Sequence, residues 1–101
     1  MEQIELKTGA YPEIVKKVID MIFNELKKAE DKFPTWPVDH VHGVAIMAEE
    51  SGEAVQAAID YYYERGSKEK VMHETAQTGA MAIRYLFALL MDKRDQAKEG
   101  E

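Results

Sequence analysis

Apolar residues recur at three- and four-residue intervals in three separate stretches, the spacing of amphipathic helices. In the first, Val15, Val18, Met21, Ile22, Leu26 and Ala29 form a stripe, while Lys16, Lys17, Lys27 and Lys28 fall largely on the other side. Pro12 suits the opening turn, where its missing N–H costs nothing. The run Phe33-Pro34-Thr35-Trp36-Pro37 stops this helix, because proline disfavours a helical residue before it. A second helix is expected from Thr35 or Asp39, both good N-caps, to about Arg65. Gly66 fits the left-handed position after a helix end, and Ser67 fits the next N-cap. The third helix is expected from Lys68 to about Lys93. Residues 1–10 form a weakly patterned lead-in broken at Thr8-Gly9, and 95–101 form a charged tail; both are expected to be flexible. With no strand candidate and no repeat, the pattern predicts one all-α domain over 1–101.

The second helix is apolar around most of its circumference. Val44, Ala48, Val55, Ala58, Ile59 and Tyr62 lie off the face that holds Glu50. A helix apolar on nearly all sides must be buried on nearly all sides, and two other helices in one small chain cannot cover it. The fold expected is therefore a helical hairpin core completed as a helix bundle by homodimerisation.

Composition narrows the classes. A formal net charge of −6, with no basic stripe to offset it, argues against nucleic acid and against anionic membrane as partners. The chain has no cysteine, which excludes disulfides, zinc ribbons and thiol catalysis. Neither a signal peptide nor a membrane-spanning stretch is present, so a cytoplasmic location is expected.

The chemistry-bearing residues are two acidic clusters inside otherwise apolar stretches. Glu49-Glu50-Ser51-Gly52-Glu53 is an E-E-x-x-E run, and Glu74-Thr75-Ala76-Gln77 is an E-x-x-Q run. At about 100° per residue, Glu50 lies amid Gly43, Ile46, Ala54, Ala57 and Tyr61, with Glu49 and Glu53 at the edge. Glu74 lies amid Val71, Thr78, Met81 and Tyr85, with Gln77 at the edge. Two helices joined by so short a turn pack antiparallel. Glu53 lies 13 residues before Gly66 and Glu74 eight after it, so the clusters fall at similar heights and can face each other. An E-E-x-x-E run alone is most often solvated surface. Carboxylates facing one another near a core repel and lose hydration, and a hard divalent cation would make the arrangement favourable. The alternative is a buried network in which Gln77 and tyrosines hydrogen-bond the glutamates. Other metals fit less well. Gln77 stands where the zinc motif H-E-x-x-H, begun by His73-Glu74, needs its second histidine. His40 and His42 point to different faces, and oxygen-only donors favour magnesium or manganese.

These two clusters, with Glu74 following Glu53 by 21 residues, resemble the MazG-like all-α nucleoside triphosphate pyrophosphohydrolases, which carry E-E-x-x-E on one helix and E-x-x-D on the next. The resemblance covers roughly residues 36–90. The flanking Trp36-Pro37-Val38-Asp39-His40-Val41-His42 and Ala80-Met81-Ala82-Ile83-Arg84 are similar to a phage-type or bacterial subgroup. It implies hydrolysis of a nucleoside triphosphate to monophosphate and pyrophosphate, a magnesium ion, and a dimer or tetramer. By position, Glu50, Glu53 and Glu74 match metal ligands and Glu49 an acidic residue that orients water. Gln77 stands at the aspartate ligand's position.

Four further residues could meet a nucleotide. Arg84 shares a stripe with Gln77, and Lys70 precedes Glu74 by one turn; either could contact phosphate, though Arg84 could be plain helix surface and Lys70 could simply pair with Glu74. Trp36 could stack on a base or cap the helical core, and His42 shares the Glu49/Glu53 edge or is plain surface. A reading from another class is a helical homodimer that binds nucleotide or a protein partner without turnover. Gln77, which brings no charge, favours it.

Overall fold

A computed structural model of the chain describes residues 2–92. Three helices account for most of them: α1 (Pro12–Lys32), α2 (His40–Tyr62) and α3 (Lys68–Met91), preceded by a 3-10 turn at Thr8–Ala10. No strand occurs among the described residues, in agreement with the all-α expectation. The tail expected from Asp95 lies outside them.

Local chemistry fixes the helix ends. Pro12 occupies the first turn of α1, and at the other end Phe33 N–H bonds Ala29 O before Pro34 stops the helix. Of the two candidate caps for α2, Asp39 is the one used: its Oδ1 accepts from Val41 N–H at 2.9 Å. Ser67 caps α3 as expected, accepting from Lys70 N–H at 3.1 Å. The turn between them departs from the sequence reading. Helix α2 ends at Tyr62, short of Arg65, and the left-handed residue is Glu64 (φ 60°), while Gly66 has no positive φ. Arg65 N–H reaches back to Asp60 O and Glu64 N–H to Tyr61 O, the paired bonds of a Schellman ending. Gly66 sits in a tight spot: a Cβ there would stand 3.2 Å from Asp60 Cβ.

Helix α3 is the centre. It packs on both α1 and α2, which make no backbone contact with each other. Helices α2 and α3 are antiparallel, since Tyr85, late in α3, donates to His40 O at the start of α2 and His40 Nε2 lies 2.6 Å from Asp92. Small residues bring the helices close. Ala57, Ala76 and Ala80 are buried with Met81 between them. Gly79 faces Ile22 of α1, and Gly43 faces Trp36 Nε1 and the Tyr85 ring.

That core is thin. The chain exposes 8504 Å², where a compact monomer of this length would expose about 5,800 Å². Many large apolar side chains are exposed among the described residues. Val41, Val44, Ala48, Ser51, Val55, Ala58 and Tyr62 follow one another on α2 at alternating intervals of three and four, and all are exposed. That alternation is the spacing of a coiled-coil seam. Among the described residues, no helix is long and apolar enough to cross a membrane.

Candidate metal centre and adjoining cavity

Helix α2 presents Glu50 and Glu53 one turn apart, and antiparallel packing sets Glu74 of α3 against them. One carboxylate oxygen from each of the three lies within 4.8 Å of the others. Glu74 is only 6% exposed, Glu50 is half-buried and Glu53 lies at the solvent side. The mutual height read from the turn therefore matches the folded chain.

The two inward carboxyls are shifted in opposite directions. Burial first, then the charges of Glu53 and Glu74, hold the Glu50 carboxyl above its ordinary range; a hydrogen bond with Glu53 and the charge of Glu49 add to this. Glu74 is held below its ordinary range, chiefly by a hydrogen bond from Lys70, although burial opposes this. Lys70 Nζ lies 2.8 Å from Glu74 Oε1. The pair expected as one option for Lys70 is thus formed, and it satisfies one oxygen of Glu74. Glu74 Oε2 and Glu50 Oε2 are buried without a hydrogen-bond partner. Buried carboxylate oxygens seldom go unsatisfied. The tyrosine–glutamate network does not supply these two atoms, and the hydroxyl of Tyr85 is spent on His40 O. Two unpartnered oxygens and a third carboxylate at its edge are a donor set that a small oxygen-seeking dication fits.

Glu50 also lines a cavity of about 670 Å³. Its floor is α3, through His73, Gln77, Ala80, Met81 and Arg84. Glu50 and Ile46 stand on the α2 side, and Glu25, Lys28, Ala29 and Lys32 on the α1 side, with the loop Phe33 to Trp36 closing one end. The cavity lies between α1 and α2, which both pack on α3 and make no backbone contact with each other.

The sequence-predicted residues fall into three groups. Glu50, Glu53 and Glu74 come together, with Lys70 on Glu74. Gln77 is half-buried one turn beyond Glu74 and lines the cavity with Trp36 and Arg84. Glu49 and His42 are exposed; Glu49 acts on Glu50 through its charge, and His42 lies outside the cavity lining. Arg84 is not plain helix surface. Its Nη2 donates to Phe33 O and to Thr35 O, and its guanidinium lies 5.1 Å from the Trp36 ring centroid. It tethers the loop. Trp36 in turn packs edge-on to Tyr85, so it closes the core end and faces the cavity at once.

Sequence reasoning missed the α1 wall. Glu25 has a side chain only 11% exposed, with Oε1 3.3 Å from Lys28 Nζ and 3.4 Å from His73 Nδ1. The signal was present: Glu25 follows Met21 by four residues and precedes Ala29 by four, so a charge interrupts the apolar stripe. The same test that singled out Glu50 and Glu74 would have found it.

Comparison of the chain with protein-family models, with curated proteins and with solved structures gave no match.

Proposed function

We propose that the protein is a magnesium-dependent nucleoside triphosphate pyrophosphohydrolase of the MazG-like type, working as a homodimer on the cytoplasmic nucleotide pool. The observation that carries this reading is the convergence of Glu50, Glu53 and Glu74 beside a cavity walled by basic and aromatic side chains. The resemblance of the two acidic runs supplies the reaction class. Glu50, Glu53 and Glu74 would hold the cation, with the Gln77 carbonyl oxygen as an uncharged fourth donor. When bound, magnesium or manganese neutralises phosphoryl oxygens and lowers the pKa of a coordinated water. Glu49, exposed beside the cluster, accepts a proton from the attacking water. Water adds across the bond between the α and β phosphates, giving monophosphate and pyrophosphate. Lys70 balances Glu74 and can share its donors with a phosphate oxygen.

Lys70 also favours the second reading, a homodimeric scaffold that binds nucleotide or a protein partner without turnover, because it already supplies Glu74 with positive charge. Pyrophosphate release, measured over standard and modified nucleoside triphosphates with magnesium or manganese, separates the two. Metal-dependent release is expected. Nucleotide binding without release would favour the scaffold, and neither binding nor release would sink the nucleotide reading altogether.

Gln77 gives a sharper prediction. Charge count is one lever on affinity at oxygen-donor sites, so Gln77→Glu is expected to tighten magnesium binding on the order of tenfold. Gln77→Asp should do the same if the shorter arm reaches. Calorimetry on the three proteins decides it; unchanged affinity in both variants would remove Gln77 from the ligand set.

A further inference from the structure

The wall that α1 gives the cavity carries two ammonium groups in a chain of net charge −6. Lys28 and Lys32 are four residues apart, so they stand one above the other on one face of α1. Since α1 and α2 each pack on α3 and make no backbone contact with each other, these lysines border the cavity from a different helix than Glu50, the one residue shared by the cavity and the carboxylate cluster. Lys28 is tied to that wall by Glu25, which also neighbours His73, the residue before Glu74. Lys32 lies towards the aromatic end, its Nζ 5.5 Å from the Phe33 ring centroid. Arg84, the third cation of the lining, has its Nη2 committed to the carbonyls of Phe33 and Thr35, which holds its guanidinium at the loop.

We infer that Lys28 and Lys32 bind the polyphosphate tail of the metal-bound nucleoside triphosphate, leaving the Phe33–Trp36 end for the base. This rests on the nucleotide reading given above. A triphosphate carries more negative charge than one divalent cation neutralises, and the carboxylates that hold the cation repel the remainder. Two ammonium groups against the single Glu25 carboxylate leave the α1 wall net positive, which offsets part of that repulsion without competing for the cation's ligands. Lysine suits the task, as a compact charge on a flexible stem with three donors. Arg84 then acts as a positioning residue for the loop, and the tail falls to α1.

Inorganic tripolyphosphate with magnesium is the probe, because it reports tail binding without the unknown base. Affinity is read by calorimetry on the full chain, for wild type, Lys28→Gln, Lys32→Gln, the double variant, and Lys27→Gln as a charge control at an exposed neighbouring position outside the cavity lining. Each single cavity variant is expected to bind roughly fivefold more weakly. The double variant should lose more than about tenfold, with a shallower salt dependence. Lys27→Gln should bind as wild type does. Equal affinities throughout, or an equal loss in Lys27→Gln, would overturn the assignment while leaving the nucleotide reading intact. Failure of the wild type to bind tripolyphosphate with magnesium would overturn both.

Discussion

Replacing Glu50 and Glu53 together by glutamine should leave a folded protein that magnesium no longer stabilises and whose pyrophosphate release falls by at least about a hundredfold, since groups merely supporting metal ligands already cost about 10- to 100-fold. In the wild type, a cation at a hundred times its dissociation constant adds about 2.7 kcal/mol, which raises the melting temperature on the order of 10 °C in a domain of this size. Without metal, the variant should be no less stable than wild type, because glutamine removes charges that repel one another. The direction of the Glu50 shift supports this: its ionised form is the disfavoured one in the fold. Metal-free wild type therefore gains stability from Glu50 as pH falls through its raised pKa. Glu74 does the opposite, stabilising above its ordinary range and losing that contribution as pH falls through its lowered pKa. Thermal melts with and without magnesium, run on both proteins, check the prediction. Equal stabilisation of the variant and the wild type by magnesium would show that the cation binds elsewhere.

The largest effect on assembly is expected from Val55→Asp. Val55 lies mid-way along the exposed seam of α2 and is 57% exposed in the single chain. The seam repeats at three and four over the length of α2, with small residues at Ala48, Ser51 and Ala58 that would let a second α2 approach closely. On the homodimer proposal, a carboxylate there becomes an unpaired buried charge in each copy. Such a change typically costs about 3–5 kcal/mol, so self-association should weaken by at least about a hundredfold. The melting temperature of the wild type should rise with protein concentration, and that of the variant should be low and independent of it. Sedimentation at micromolar concentration gives the direct answer. A monomeric wild type, or a variant that associates as strongly, would rule out this seam as the interface.

The helices and their caps were legible because they depend on neighbours in the chain. Asp39, Ser67, Pro12 and the Phe33-Pro34 stop act over one turn, so residue type and spacing suffice. The height of Glu74 against Glu50 and Glu53 was legible too, because a short turn and a fixed rise per residue leave little freedom. Glu64 taking the left-handed position was not legible. Asp60 crowds Gly66, and the Schellman bonds are satisfied two residues earlier than glycine alone would suggest.

By itself, then, the sequence determined three amphipathic helices, an antiparallel hairpin and three carboxylates on facing stripes, all consequences of helical periodicity. Only the tertiary structure decided where α1 lies. Periodicity names the apolar face of a helix but not the partner that face meets. Because α1 rests on α3 and makes no backbone contact with α2, a cavity opens beside the carboxylates. Lys28 stays exposed, as periodicity expects, but its side also borders the cavity, and Arg84 turns from the helix surface to hold a loop. Those placements depend on contacts between residues about 50 apart in the chain, and no local pattern encodes them.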